Sequence, residues 1–246
     1  MNMKNIWFIM KRELNGYFST PVAYVFIISF LLLTGFSTFF VGNFFERGEA
    51  DLYPFFSIHP WIYVLLIPAI SMRLWSEERK SGSIELLMTL PVSVFEAVLG
   101  KFLAAWAFTG LALLLNFPLW ITVNYLGSPD NGVIFAGFLG SLLMAGGFLA
   151  IGACVSATTK NQVIAFVLSL IVSLIFVLSG YGIVLDFFSS WAPVALVDAI
   201  SSFSFLTHFD AISKGVIDMR DMLYFASVIL VWLFANAIVV NARKAD

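Results

Sequence analysis

Residues Val133-Ile-Phe-Ala-Gly-Phe-Leu-Gly-Ser-Leu-Leu-Met-Ala-Gly-Gly-Phe-Leu-Ala-Ile-Gly-Ala-Cys-Val155 run for 23 positions without a charged side chain. A helix rising about 1.5 Å per residue needs roughly 20 apolar residues to cross a hydrocarbon layer about 30 Å thick. Four further uncharged runs meet that length: Pro21–Val41, Phe102–Tyr125, Asn161–Leu185 and Met222–Asn241. A fifth, Phe55–Met72, is shorter and holds Pro60 and Pro68, yet carries no ionised group. No stretch alternates polar and apolar residues as a barrel strand would, so the six runs predict an all-α integral membrane protein with six spans.

Composition agrees. Of 246 residues, 61% are hydrophobic and 11% charged, against roughly 25% charged in soluble domains. With 27 Phe and 7 Trp but only 13 Lys and Arg, too little polar side chain exists to coat a water-facing globule. Cys154 is the single cysteine, which excludes a disulfide scaffold, and a net charge of −2 offers no basic footprint for nucleic acid.

Basic residues orient the spans, because loops on the cytoplasmic side collect lysine and arginine. With the N-terminus inside, that side holds Lys4, Lys11, Arg12, Arg73, Arg79, Lys80, Lys101, Lys160, Arg243 and Lys244, and the outer side only Arg47, Lys214 and Arg220. Both termini are therefore expected in the cytoplasm of a multi-pass protein of the inner (plasma) membrane. The stretch Phe187–Phe209 tempts a seventh crossing, but Asp198 divides it into halves of about 16 Å as helix. Residues 186–221 are accordingly expected to form an outer, re-entrant hairpin between spans five and six, turning near Pro193.

Residues 1–18 lack the apolar core of a cleavable signal peptide. Ile6, Trp7, Met10 and Leu14 share one helical face, which predicts an amphipathic helix lying on the cytoplasmic leaflet. Gly16 is expected to end it, with Ser19-Thr20-Pro21 opening the first span. The whole chain, 1–246, is expected to be a single transmembrane domain.

The charge-dense stretch is the loop 73–101. Glu77, Glu78, Arg79 and Lys80 are expected to carry the second span into water, and Ser81-Gly82-Ser83 to break that helix. Ser83 can cap a short new helix with Glu85 in its first turn, ended by Pro91. Ser93-Val-Phe-Glu96 then reads as a capping box opening the third span. The short helix exposes Ile84, Leu86, Leu87, Met88 and Leu90, an apolar surface that rests on the membrane or bundle, or docks a soluble partner.

The run Glu77-Glu78-Arg79-Lys80-Ser81-Gly82-Ser83-Ile84-Glu85-Leu86-Leu87-Met88-Thr89-Leu90-Pro91-Val92, with Gly100-Lys101-Phe102-Leu103 after it, resembles the first cytoplasmic loop of type-2 ABC transporter permeases. Within them it is most similar to the gliding-motility and nitrous-oxide-reductase-maturation branch. Lys11-Arg12-Glu13-Leu14 ahead of Tyr17-Phe18-Ser19-Thr20-Pro21, and the six-span topology, extend the likeness. The resemblance implies that Ser83–Leu90 is a coupling helix contacting a separate ATPase subunit, with Glu77, Glu78, Arg79, Gly82, Ser83, Ile84, Glu85, Leu86, Leu87 and Pro91 as the coupling residues. It also implies a dimer with a second copy or a paralogue, and ATP and Mg on the partner subunit; the one departure expected is that this chain carries no fused ATPase or large outer domain. The cargo would be a membrane lipid or another hydrophobic or amphipathic molecule exported across the membrane, or else ATPase motion would be relayed to an envelope protein. A non-transporting scaffold that docks a soluble partner through the same loop is the alternative.

The chain's own chemistry fits that division of labour. A phosphate-binding loop needs G-x-x-x-x-G-K-[ST]. Gly100-Lys101 is followed by Phe102, and Phe95 stands where the first glycine belongs. His59 and His208 are the only histidines, expected near the outer face, and neither sits in a His-Glu-x-x-His or serine-triad pattern. No catalytic residue, cofactor or metal is expected on this chain. No acid or base is expected at mid-span, which speaks against proton coupling. Neutral polar residues such as Thr34, Asn116, Ser169, Ser173 and Asn236 are read as helix-to-helix hydrogen bonds, and the small residues of Val133–Val155 as close packing. Phe26, Phe30, Phe36, Phe39, Phe40, Phe166 and Phe176, on spans one and five, are expected to face either lipid or a dimer seam.

Overall fold

The computed structural model describes residues 2–84 and 91–242. All regular structure among them is helical. Five helical stretches are long and apolar enough to cross a membrane, and a sixth is added when one bent pair is counted as a span.

Helix α1 (Met3–Phe18) starts at Asn2, whose side chain accepts from Lys4 N at 3.1 Å. It runs through Gly16, contrary to expectation, because the stop comes later. The Ser19 hydroxyl donates to Gly16 O (2.8 Å), the Thr20 hydroxyl to Tyr17 O (3.0 Å), and Pro21 opens the next helix. Its buried face also differs from the expected one. Ile6 and Ile9 are buried against the third span, while Trp7 is 60% exposed. Gly100 permits this approach, since a Cβ there would stand 2.8 Å from Ile9 Cβ.

The first span is α2 (Pro21–Phe36), which widens into a π-helical turn at Ser37–Val41 before the short α3 (Phe44–Arg47). The second comprises α4 (Tyr53–Ser71) and α5 (Arg73–Ser81), joined at Met72. The third comprises α6 (Val94–Leu114) and α7 (Phe117–Leu126). They part at Leu115–Asn116, where Pro118 lacks the N–H that would continue the ladder. The buried hydroxyl of Thr34 donates to Asn116 Oδ1 at 2.9 Å, an interhelical hydrogen bond between spans one and three of the kind expected. Ser169, Ser173 and Asn236 are buried too, but have no such partner among the described residues.

Helix α8 (Asn131–Ser156), opened by Asp130 accepting from Gly132 N at 2.8 Å, is the centre of the bundle. Its small residues let neighbours press in. A Cβ on Gly137 would meet the Phe56 ring at 2.5 Å, and one on Gly152 the Ser71 hydroxyl at 2.0 Å. Two phenylalanines offered as seam residues are inside, Phe26 packed on Phe108 and Phe30 on Tyr63, and Phe176 is half-buried against Phe205. Phe36 and Phe40 remain exposed. His59, expected near the outer interface, lies fully buried among Phe30, Phe55 and Phe56, with Nδ1 3.4 Å from Ser141 Oγ. Two turns into α4, its apolar neighbours enclose it.

The fifth span is not the continuous Asn161–Leu185 expected. Helix α9 (Gln162–Leu178) and α10 (Gly182–Ser189) meet at a 68° bend. The break falls at Gly180, where a Cβ would lie 2.2 Å from Ser204 Oγ. Beyond it, α11 (Val194–Ser202) and α12 (Phe205–Ser213) precede α13 (Met219–Ala242), the sixth span. The turn near Pro193 is present, but Asp198 lies inside α11, and the second break is at Phe203–Ser204, where Ser204 caps α12 through Leu206 N (3.1 Å). Helices of eight or nine residues are too short to cross. His208 ties α12 to the sixth span: Nδ1 lies 2.6 Å from Asp221 Oδ1, Nε2 donates to Ser202 O (3.0 Å), and the ring stacks on Tyr224.

Gly152→Val should destabilise the bundle by about 1–3 kcal/mol through overpacking against α4. Adding Ser71→Gly should recover part of that loss, measured as thermal unfolding midpoints in detergent. Purely additive losses would contradict the contact.

Candidate functional site

Residues 82–84 and 91–93 lie between spans two and three, and the helix ends around them hold the buried charges Arg79, Glu96 and Lys101. Three features of local sequence build this end. Gly82 takes the left-handed conformation (φ 74°) that closes α5. Ser93 and Glu96 form the expected capping box, the Ser93 hydroxyl accepting from Glu96 N and the Glu96 carboxylate from Ser93 N. That box sets the start of the third span at Val94, eight residues earlier than the uncharged run suggested. Lys101 is thereby placed two turns inside a helix.

Lys101 is buried, with its side chain 3% exposed. Its Nζ lies 2.7 Å from Glu78 Oε1 and 3.2 Å from Glu13 Oε1, and 5.3 Å above the centre of the Trp75 ring. Arg12 adds a second cation, 2.7 Å from Glu13 and 3.9 Å from Glu78. Glu13 thus answers to two competing effects. Burial alone disfavours its charged form, but the Lys101 ammonium and the Arg12 guanidinium outweigh burial and hold the carboxyl below its ordinary range. Its stabilising contribution is consequently complete above the ordinary carboxylate range and is lost as pH falls through the depressed value.

The remaining contacts pin the loop at both ends. Before it, Arg79 Nη1 donates to Ala157 O at 2.8 Å, fixing α5 to the end of α8. The Ser156 hydroxyl accepts from Trp75 N and Ser76 N (both 3.1 Å) and donates to Met72 O (2.8 Å), which holds the α4–α5 joint. After the loop, Asn2 N donates to Glu96 Oε1, and Asn5 Nδ2 to Glu96 Oε2 (3.2 Å) and Pro91 O (3.4 Å). Helix α1 therefore touches the far side of the loop at its start and the near side through Glu13. It is a strut across the loop's base.

Set against the expected residues, the site is partly as read. Glu77 and Lys80 reach water, but Glu78 is half-buried in the ion cluster and Arg79 is buried on α8. The reason is that α5 lies along the bundle end, so only one face of it is wet. Ile84, expected to be exposed, is 8% exposed and joins the hydrophobic core. The Ser83 hydroxyl lies 2.9 Å from that of Ser81, and Pro91 is exposed. Glu85, Leu86, Leu87, Met88, Thr89 and Leu90, on which the short docking helix rests, lie outside the described residues. Ser156, Asn2 and Asn5 were not singled out from sequence, and Glu13 and Lys101 were read there for the family resemblance but not as an ion pair. Lys101 carried a signal nonetheless, since the capping box at Ser93 already placed a cation within an otherwise apolar helix.

Removing the cation at the centre should be costly, because it leaves two carboxylates facing each other in a poorly hydrated place. Lys101→Met should destabilise the protein by about 3 kcal/mol. Glu13→Gln and Glu78→Gln added to it should restore most of that, as read from thermal unfolding. Equal stability of the single variant would show that the cluster is hydrated and loose.

Among the described residues, no group of acidic, histidine or cysteine side chains is arranged to hold a metal. Comparison with curated proteins returns no match. A family model described as ABC-2 family transporter protein matches residues 50–241, from just before the second span to the end of the sixth. The helical bundle, its five or six apolar crossings and that match over more than three quarters of the sequence lead to one conclusion: this multi-pass membrane protein belongs to the ABC-2 transporter family, as the membrane-spanning permease component of an ABC transporter.

Proposed function

We propose that the chain is one half of an ATP-driven exporter of the inner membrane, moved by a separate ATPase subunit that grips residues 83–90 from the cytoplasm. ATP and Mg belong to that subunit, and both termini of this chain face it. The observation that supports this reading is the double anchoring of the loop. Through Arg79, Glu78 and Glu96, the segments on either side of it are bound to α8, α6 and α1. A push on the loop then reaches spans two, three and four together instead of bending one flexible connection.

A second copy or a paralogue completes the transport path. The first and sixth spans support pairing, since only 28% and 22% of their most apolar windows are buried within one chain. A hydrophobic or amphipathic cargo agrees with the groove of about 630 Å³ between α6 and α8, lined by Leu103, Trp106, Leu111, Phe135 and Leu142. Its one indole N–H is already bonded to Leu142 O at 2.8 Å, leaving an apolar surface. The hairpin between spans five and six would face outward, where it can regulate release or engage an envelope protein.

Leu87→Asp should abolish co-purification of the ATPase subunit while insertion into the membrane is unchanged, because a charge on the docking face is costly to bury. Retained co-purification would remove the loop as the docking element. For the topology, Ser201→Cys and Lys214→Cys should both react with an impermeant thiol reagent added outside intact cells. Reaction of Lys214→Cys only after the inner face is opened would overturn the assigned orientation.

A further inference from the structure

A cavity of about 220 Å³ lies in the wedge between the last turns of α1, the start of the first span and α5, lined by Glu13, Gly16, Tyr17, Thr20, Arg73, Leu74 and Glu77. Two of its charges, Arg73 and Glu77, are not part of the ion cluster beside it. Glu13 is committed to Lys101 and Arg12. Arg73 and Glu77 stand four residues apart on α5, a spacing that suits an ion pair, yet among the described residues neither enters one. Arg73 Nε is buried there without a hydrogen-bond partner among the described residues. Arg73 is only partly buried and Glu77 is exposed, and both side chains line the same small space.

The position of this wedge defines what can reach it. It sits beside Met72 in the second span and the start of the first at Pro21, at one end of helices long and apolar enough to cross a membrane, where headgroups are expected. The neighbouring α1 exposes Met3, Trp7 and Phe8, as a helix resting on a membrane surface does. Gly16 leaves the wall open, for a Cβ there would meet nothing within 4 Å.

We infer that this wedge binds the zwitterionic headgroup of an aminophospholipid, with the phosphate on Arg73 and the primary ammonium on Glu77. Arginine offers a phosphate paired N–H donors, and the two carboxylates lining the same cavity, Glu13 and Glu77, favour a headgroup that also carries a cation. The ammonium selects further. A quaternary choline has no N–H to donate to Glu77, and a glycerol headgroup brings no positive charge to the Glu77 and Glu13 side of the cavity. The site requires neither an ATPase partner nor transport, so it stands or falls separately from the exporter reading.

The test uses the full-length protein in detergent, titrated with micellar phosphatidylethanolamine, phosphatidylcholine or phosphatidylglycerol and followed by thermal unfolding and native mass spectrometry. Phosphatidylethanolamine should bind about tenfold more tightly than the other two, the equivalent of one lost charged hydrogen bond. Arg73→Gln should remove that binding and Arg73→Lys restore part of it. Glu77→Gln should erase the preference over phosphatidylglycerol while leaving the phosphate bound, and Lys80→Gln, exposed on the same helix, should change nothing. Glycerophosphoethanolamine and inorganic phosphate give the soluble arm. Stabilisation by the former alone, dependent on Arg73, supports the site and assigns it to a free zwitterion. Equal binding of all three lipids, or Arg73→Gln binding phosphatidylethanolamine as the unaltered protein does, overturns the inference.

Discussion

A buried ammonium must be neutralised where it sits, and Lys101 is answered by two carboxylates drawn from different parts of the chain, Glu13 from α1 and Glu78 from α5. Each group alone would be costly to hold out of water, so none of the three helices can move away without exposing an unpaired charge. That shared dependence makes one block of α1, the end of the second span and the start of the third. Arg12 at the rim balances the second carboxylate, and Trp75 covers the ammonium from one side.

The block is attached to the bundle by a different kind of force. Helix α8 is built of small residues on several faces, so that α4, α12 and α13 approach its backbone closely, and dispersion between well-fitted surfaces replaces the hydrophobic drive that lipid does not provide. Ser156, at the end of α8, then closes the junction by satisfying two N–H groups at the Met72 joint, and Arg79 satisfies the Ala157 carbonyl. Central helix and charged base are thus continuous, and a displacement at one is felt at the other.

What the sequence made legible follows from how local each cause is. Uncharged runs located the spans, because crossing a bilayer is a property of one segment, and the capping box at Ser93 and the stop at Gly82 depend only on neighbours. The bend at Gly180 was missed because its cause is distant: Ser204 occupies the space that a side chain would need. The turn near Pro193 was legible, but Asp198, which divides the apolar run, lies inside a helix, and the second break is set at Ser204, which starts a new one. For the site, the charged residues of the loop were visible as a cluster, but which of them face water was not. Burial of Arg79, Glu78 and Ile84 comes from α5 lying against α8 and α1, and nothing in a single sequence fixes that docking. The same applies to Lys101: the capping box at Ser93 already put it inside the third span, but that Glu13 and Glu78 close on its ammonium depends on the docking of α1 and α5.

If the charged base is the rigid connection between an external motor and the spans, its integrity must govern energy coupling separately from assembly. The most direct measurement is ATP hydrolysis by the purified ATPase subunit as this chain is added in lipid nanodiscs, with the unaltered chain and with Glu78→Ala. The account predicts saturable stimulation by the former, and for Glu78→Ala a complex that still forms but is stimulated only weakly. Equal stimulation by both chains, or none by the unaltered one, would contradict it.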